Sequence, residues 1–372
     1  MGRAEDETLE QFASCWEGLE DPRQGNARLH DLHELLIIAL CCVLCGGQGA
    51  VDMALFAKAK EPFLRGFLSL ANGLPSHDTF SRLFRNLDAE QFRAAFQRFM
   101  AEFSTQCTGV VAIDGKVARR SFDRASGKSA LHMVSAWGSE QRLVLGQMAT
   151  DAKSNEITAV PKLLRMLALE GAIVTADALN CQRTIAAQIV EQKGDYALAL
   201  KTNQETLYDD VVLLLNDPEA QQTTMPPVVE SDHGRIETRT ATVSTEVKWL
   251  QQQHQWPGLK AVGKVVRVRE TAEKTTTETA YYLLSTPLTP QRFNEVARQH
   301  WGVENSLHWR LDVVMNEDQD RTRMGHGPEN IAMLRHMAIN AMQKEGSKGS
   351  LRGKFKRAGW DDDFLYRLLE MF

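Results

Sequence analysis

Residues 110–116 read Val-Val-Ala-Ile-Asp-Gly-Lys, an apolar run that ends in an acid, a glycine and a lysine. Residues 172–177 repeat the pattern, because Ala-Ile-Val-Thr-Ala leads directly into Asp177. A third acid, Glu304, lies in residues 300–305, His-Trp-Gly-Val-Glu-Asn, which have the character of a helix. Carboxylates at two strand ends and on a distant helix could together hold two divalent metal ions for phosphodiester chemistry. This arrangement suggests a nuclease or a DNA strand-transfer enzyme.

Each of these acids also has an ordinary explanation. Asp-Gly is a common turn, so Asp114 alone is weak evidence, and Asp177 shares the ambiguity. His300, Glu304 and His308 recur every four residues, so one helical face could instead hold zinc or face solvent. Three downstream acids could also replace Glu304: Asp312, Glu317 and Asp318. The two aspartates are harder to dismiss as a pair, because a carboxylate beside buried strands is costly unless it is paired or metal-bound.

The pattern around the two aspartates predicts an α/β fold in which a mixed sheet is flanked by helices. The predicted strands are 110–114, 130–137, 142–148, 172–177 and 196–200. The predicted helices that alternate with the later strands are 156–169, 181–193 and 204–215. Three early strands followed by alternating helices and strands match the ribonuclease-H-like fold, with acids at neighbouring strand ends.

The rest of the chain divides by its periodicity. Residues 1–107 form a predicted helical N-terminal domain, for which a plain helical bundle is favoured over a DNA-binding unit. The catalytic core would occupy 108–216 and resume with its final helices at 287–345. Between these parts, 217–286 has alternating β-branched runs bounded by prolines and predicts a β-rich insertion. Residues 346–372 form a basic C-terminal tail.

Composition excludes some classes of protein. The chain has 372 residues, and its 43% hydrophobic and 24% charged content is typical of globular proteins. No apolar run approaches the roughly 20 residues that a membrane span needs, and the acidic N-terminus is unlike a secretory signal. These features predict a cytoplasmic protein without membrane contact. The net charge of −5 argues mildly against nucleic acid, but residues 344–357 hold six Lys or Arg and one acid.

Five motifs carry a resemblance to a known family. They are residues 112–116 (Ala-Ile-Asp-Gly-Lys), 153–159 (Lys-Ser-Asn-Glu-Ile-Thr-Ala), 175–178 (Thr-Ala-Asp-Ala), 233–235 (His-Gly-Arg) and the nineteen residues 300–318. With these motifs the chain resembles the H-repeat-associated proteins, which belong to the bacterial insertion-sequence DDE transposases. The resemblance covers nearly the whole length, and a chance match over the longest block is implausible.

The resemblance implies a ribonuclease-H-like core in which Asp114, Asp177 and Glu304 are the catalytic and metal-binding acids. Two Mg²⁺ or Mn²⁺ ions would be bridged by Asp114, and the other two acids would each complete one site. The enzyme would cut the ends of an element and join them to target DNA, as a homo-oligomer in the active complex. The open alternatives are a nuclease without strand transfer, a non-enzymatic DNA-binding relic and a zinc protein.

Candidate DNA contacts come from basic side chains near these motifs, which are Lys116, Lys201, Arg235, His300 and Arg310. Many transposases of the wider group carry a tyrosine and an arginine before the last acid and a lysine after it. Here Ala297, His300 and Leu311 occupy those three places. His300 and Arg310 could substitute for the missing side chains. Lys116, Lys201 and Arg235 also have plain explanations as solvent-facing, loop and turn residues.

Overall fold

The computed structural model describes residues 14–103, 107–125, 127–150, 156–232 and 234–371. Several features of the sequence lie outside the described residues, including the acidic N-terminus, residues 153–155 and His233. Within the described part of the chain the protein is a mixed α/β structure with a large sheet and flanking helices. No helix in this part is both long and apolar enough to cross a membrane.

Ten strands of the described ranges form one mixed sheet. They are β1 (Val110–Ala118), β2 (Leu131–Gly138), β3 (Leu143–Ala149), β4 (Ile173–Ala176), β5 (Asp195–Leu200), β6 (Thr223–Thr224), β7 (Val228–Asp232), β8 (Arg235–Ser244), β9 (Ala261–Glu270) and β10 (Thr275–Leu284). Their order is β3-β2-β1-β4-β5-β10-β9-β8-β6, and β7 pairs with β8. Strands β1, β4 and β5 are parallel, whereas the other pairings are antiparallel.

The β-rich segment extends the central sheet. Its strand β10 pairs with β5, so that Leu284 lies opposite Ala197 and Tyr281 lies opposite Leu200. Strands β8, β9 and β10 then form a long antiparallel ribbon beyond the parallel centre. Alternation of β-branched residues predicts such strands but does not specify their partners, and the partner here is the edge of the core.

Helices cover the sheet and form the N-terminal and C-terminal parts. They are α1 (Leu32–Leu44), α2 (Ala50–Ala59), α3 (Glu61–Leu64), α4 (His77–Asn86), α5 (Ala89–Phe103), α6 (Glu156–Arg165), α7 (Arg183–Glu191), α8 (Glu205–Asn216), α9 (Lys248–His254), α10 (Pro290–His300), α11 (Trp309–Val313), α12 (Gly327–Lys344), α13 (Leu351–Trp360) and α14 (Asp362–Leu369). A π-helical turn, Glu304–His308, precedes α11. Helix α1 lies in the predicted helical N-terminal part and buries Cys41 and Cys42 as core residues.

Helix α12 joins the N-terminal helices to the sheet. Asn340 is fully buried, and its side-chain amide exchanges two hydrogen bonds of 2.9 Å with the backbone of Val144 in β3. Asn330 donates to the carbonyl oxygens of Phe84 and Leu87, each at 2.9 Å. These buried amides satisfy backbone groups of the N-terminal helices on one side of α12 and of β3 on the other. One hydrophobic core continues from α1 to the sheet.

The basic C-terminal segment contains helices α13 and α14. Phe355, Phe364 and Leu368 are buried, and they belong to the same core as α1. Ser350 and Asp361 cap the two helices through hydrogen bonds to the amides of Gly353 and Phe364. The basic residues of this segment are therefore carried largely on the outer face of packed helices.

Candidate active site

The parallel pairing of β1 with β4 brings the two aspartates together. Ile113 lies opposite Ala176, and Asp114 and Asp177 are the next residues of the two strands, so they lie at the same edge of the sheet. The prediction that β1 ends at residue 114 was wrong, because the strand continues to Ala118 along β2. Asp114 thus lies where the pairing with β4 stops, and it is the first residue of β1 that is only partly buried.

Asp114 lies in a strongly acidic environment. The pKa of its carboxyl is raised to about 7, mainly by burial and with a contribution from the nearby carboxylates of Glu156, Asp177 and Glu304. A hydrogen bond of 2.9 Å from the amide of Gly115 acts in the opposite direction. Like charges that crowd a partly buried carboxylate favour its protonated form unless a cation neutralises them. The structure therefore places Asp114 within range of the charges of Asp177 and Glu304, the other two acids that the sequence singled out, and of Glu156 as a fourth acid.

The raised pKa of Asp114 leads to a prediction about the stability of the protein in metal-free buffer. The folded-state pKa of about 7 lies above the ordinary value of 3.8, so protonated Asp114 favours folding and this contribution disappears as pH rises through about 7. At 1.36 kcal/mol per unit, the contribution amounts to as much as about 4 kcal/mol. We expect Asp114→Asn, whose side chain is always neutral, to be the more stable protein above pH about 7 and to lose this advantage below pH about 4. Denaturant unfolding across this pH range measures the difference, and a difference that does not change with pH would contradict the assignment.

Glu156 is held in place from two sides. Its Oε1 atom lies 2.9 Å from His132 Nε2, and this hydrogen bond lowers the pKa of Glu156. The Asn180 side-chain amide donates to Glu156 Oε2 at 2.8 Å and to Asp177 Oδ1 at 3.0 Å. One buried amide therefore links two of the acidic side chains and fixes the orientation of both.

Gly115 leaves room for this arrangement. A Cβ atom at Gly115 would lie 2.3 Å from Glu156 Oε1 and 2.4 Å from His132 Nε2. Real Cβ atoms do not approach other atoms so closely, so any side chain here would displace the Glu156–His132 pair. The glycine, which is ordinary in an Asp-Gly turn, is therefore needed here to leave space for the Glu156–His132 pair.

Glu304 and His308 are presented by the π-helical turn. The backbone amide of Trp309 donates to the carbonyl of Glu304, which is the wide hydrogen bond that defines this turn. The prediction of a single α-helical face for His300, Glu304 and His308 was wrong, because α10 ends at His300 and the wider turn changes the spacing. Such turns inside helices are frequent at functional sites.

His308 is a neighbour of Asp114 that the sequence did not assign to the aspartates. Its Nδ1 atom lies 3.6 Å from Asp114 Oδ2. The pKa of His308 is lowered to about 4, mainly by burial and with a contribution from the charge of Lys116. Its Nε2 atom is buried and has no hydrogen-bond partner among the described residues. A neutral imidazole with a free nitrogen therefore faces the acidic cluster.

The acids have the chemistry that hard divalent cations prefer. Mg²⁺ and Mn²⁺ bind carboxylate oxygens, and a cation would relieve the repulsion that raises the pKa of Asp114. Across the described ranges, however, no three His, Cys, Asp or Glu side chains are gathered closely enough to hold a metal ion. The donor set therefore fits such a cation in charge and atom type, and holding one requires the carboxylates to draw together.

Lys116 lies in an ion cluster two residues after Asp114. Its ammonium is 2.7 Å from Asp312 Oδ1 and 3.3 Å from both Glu317 Oε2 and Asp318 Oδ1. Burial lowers the pKa of Lys116, but the three carboxylates outweigh this effect and raise it overall. The side chain is only 11% exposed. The three downstream acids that could have replaced Glu304 thus surround Lys116.

The other predicted DNA contacts differ in accessibility. Lys201 and Arg235 are exposed, and Arg235 lines a cleft that Glu304 also lines. His300 Nδ1 lies 3.1 Å from the Thr175 hydroxyl, and burial lowers the pKa of His300. Arg310 is half-buried, and its Nη1 atom has no hydrogen-bond partner within the described ranges.

Comparison with known proteins decides the family. A Transposase DDE domain model matches residues 105–341, which is more than half of the chain. The chain belongs to the DDE transposase family. A second model, described as DDE_Tnp_1-associated, matches residues 13–100. The resemblance found in the sequence motifs is thereby confirmed.

Two relatives match most of this chain, and a third matches a short part of it. The "H repeat-associated putative transposase YhhI" of Escherichia coli (strain K12) is 37% identical over 363 residues, or 94% of this chain and 95% of the relative. The "Uncharacterized protein in dhlA 3′ region" of Xanthobacter autotrophicus is 45% identical over 262 residues, or 68% and 88% of the two chains. The "Inactive transposase YbfQ" of Escherichia coli (strain K12) is 33% identical over 63 residues, or 17% and 75%.

Sequence reasoning missed four residues of the site, which are His132, Glu156, Asn180 and His308. Glu156 belongs to the Lys-Ser-Asn-Glu motif, so a signal was present, but a helix start explained it equally well. His132 and Asn180 reach the site only through the pairing of β1 with β2 and the turn after β4.

Proposed function

We propose that this chain is an active transposase that cuts the ends of an insertion sequence and joins them to target DNA. Asp114, Asp177 and Glu304 would be its catalytic acids. The observation that carries the proposal is the crowding of Asp114 by the carboxylates of Asp177 and Glu304, which come from separate parts of the chain. Clusters of like charge in a cleft are a mark of functional sites.

We also propose that the core is ribonuclease-H-like. Support comes from the strand order β3-β2-β1-β4-β5, in which β1, β4 and β5 are parallel and β2 and β3 are antiparallel. We retain the division into a helical part at 1–107, a core at 108–216 and 287–345, an insertion at 217–286 and a basic segment at 346–372.

The cofactor in this proposal is Mg²⁺ or Mn²⁺, held by Asp114, Asp177 and Glu304. A bound ion of this kind would stabilise negative charge on the scissile phosphate and favour deprotonation of water or a 3′-hydroxyl. The chain itself would orient these acids: Asn180 fixes Asp177, and the His132–Glu156 pair supports Asn180. His308, beside the Asp114 carboxylate, would help to set its position.

DNA is the partner that this chemistry requires. Lys201 and Arg235 are exposed and would contact phosphates, and His300 and Arg310 would do so at the edge of the site. Lys116 would act on DNA only through the ion cluster that holds it. Because an element has two ends, joining both to one target calls for at least two active sites, so we propose a homo-oligomer working on DNA in the cytoplasm.

The test is a cleavage and joining assay on DNA that spans the flanks of the protein's own gene. We expect cutting at defined ends with Mg²⁺ or Mn²⁺, none with a chelator present, and transfer of the cut ends into a target plasmid, since carboxylates alone cannot stabilise the leaving oxygen. Gel analysis of end-labelled DNA and sequencing of joined products measure both steps.

Three other outcomes would contradict the proposal in different ways. Cutting without joined products would make the protein a nuclease of the same fold. Binding to the ends without cutting under either metal would make it a DNA-binding relic. Stoichiometric zinc in the purified protein, lost when His300 and His308 are both replaced, would favour the zinc-site hypothesis.

A further inference from the structure

A cleft of about 530 Å³ opens beside Glu304. Strands β8 and β9 form one wall, and the C-terminal end of α10 with Trp301 and Gly302 forms another. Its charged lining consists of five arginines and three glutamates, among them Glu304 itself. The cleft therefore carries two more positive than negative charges, although the whole chain has a net charge of −5.

Four of these arginines share one face of the β8–β9 ribbon. Arg235 and Arg239 are four residues apart on β8, so their side chains point to the same side. Arg267 and Arg269 on β9 lie opposite Arg239 and Glu237. At about 3.3 Å per residue the row is roughly 13 Å long, which is enough to follow more than one phosphate of a DNA strand.

Glutamates pair with four of the five cleft arginines and orient them, and one of these glutamates, Glu278, pairs with Arg267 from β10. Glu237 is nearly buried and pairs with both Arg239 and Arg269. Arg298 pairs with Glu230 at the other wall, and the Arg298 side chain remains 49% exposed. The Nε atom of Arg269 is buried and has no hydrogen-bond partner among the described residues. Guanidinium groups held in this way keep free N–H groups in a fixed orientation, which suits phosphate oxygens.

We propose that this cleft binds consecutive phosphates of a DNA strand and leads that strand to Glu304. The inference rests on the proposed function, and it adds a site to which the β-rich segment contributes the binding groups. Phosphate contacts of this kind fix position along the strand and do not read the base sequence. The placement explains why a segment outside the acidic centre carries a one-sided row of arginines.

The test is DNA binding without divalent metal, so that no cleavage occurs. The double variant Arg235→Gln/Arg269→Gln is compared with the wild type by fluorescence anisotropy on DNA from the gene's own flanks, between about 50 and 200 mM salt. We expect affinity to fall roughly 10- to 100-fold at about 0.1 M salt, and the slope of log affinity against log salt to decrease by about two. Arg235→Lys/Arg269→Lys keeps both charges and should retain the wild-type slope.

The control is Arg165→Gln, which removes an exposed arginine at the end of α6 and should bind as the wild type does. If the double variant melts early, Arg235→Gln alone at the exposed end of the row should still lower the slope by about one. An unchanged slope in the glutamine variants, or no wild-type binding, would overturn the inference. Cleavage by the wild type together with an unchanged slope would leave the proposed function intact and overturn the inference about the cleft. A reduced slope in the glutamine variants without any cleavage by the wild type would support the cleft and contradict the proposed function.

Discussion

Asp114→Asn is expected to reduce metal-dependent cleavage of the element ends by at least about 1,000-fold. Asn keeps the size and the hydrogen bond from Gly115 but removes the charge that would hold the cation. Several kcal/mol of transition-state stabilisation depend on that cation, and each 1.36 kcal/mol is tenfold in rate. Single-turnover cleavage with Mn²⁺ measures the effect directly.

Affinity for DNA in the absence of metal is the readout that separates chemistry from binding in this variant. Asp114→Asn should bind the same DNA at least as tightly as the wild type, because it removes a negative charge from the site. Asp209→Asn, which changes an exposed acid on α8, is the matched control and should cut normally. Cleavage by Asp114→Asn at a rate within tenfold of the wild type would show that the mechanism does not depend on this acid.

Much of this site could be predicted because buried strands leave a clear signal. The apolar runs before Asp114 and Asp177 predicted strands whose parallel pairing then fixed the neighbourhood of the two acids. Glu304 lies about 190 residues after Asp114, and only its motif connected it to them. The contact of Glu156 with His132 could not be predicted in this way, because it joins helix α6 to strand β2 and depends on the missing side chain of Gly115.

The fold shows the same limit. Alternation of apolar residues predicted the β-rich segment, yet it did not show that β10 would join the edge of β5 and continue the central sheet. The wide turn at Glu304 has no signature in the periodicity, since one π-type hydrogen bond changes the spacing of the residues without changing their hydrophobicity. Lys116 looked like a phosphate contact because its acidic partners are about 200 residues away in the chain.

Lys116→Met is expected to destabilise the protein by about 3 kcal/mol and to reduce cleavage even where the protein remains folded. The substitution leaves the nearly buried carboxylate of Glu317 beside Asp312 and Asp318 without the cation between them. Removing one partner of a buried ion cluster costs about 3–5 kcal/mol, and the partial exposure of Asp312 places this one at the lower end. Denaturant unfolding at pH 7 gives the free energy.

The reason for the loss of cleavage is that Lys116 connects β1 to the segment that follows Glu304. Arg335 holds the other side of the same segment, 2.7 Å from Asp320 and 3.7 Å from Glu317. Adding Asp318→Asn to Lys116→Met should recover part of the stability, because it removes one of the repelling charges.

Lys201→Met is the matched comparison, since the Lys201 side chain is exposed and no ion pair holds it within the described ranges. We expect this variant to lose DNA affinity at unchanged stability, which is the reverse of Lys116→Met. If Lys116→Met were as stable as the wild type and instead bound DNA more weakly, Lys116 would be a direct phosphate contact. In that case the ion cluster would open when DNA binds, and other cations would have to neutralise Asp312, Glu317 and Asp318.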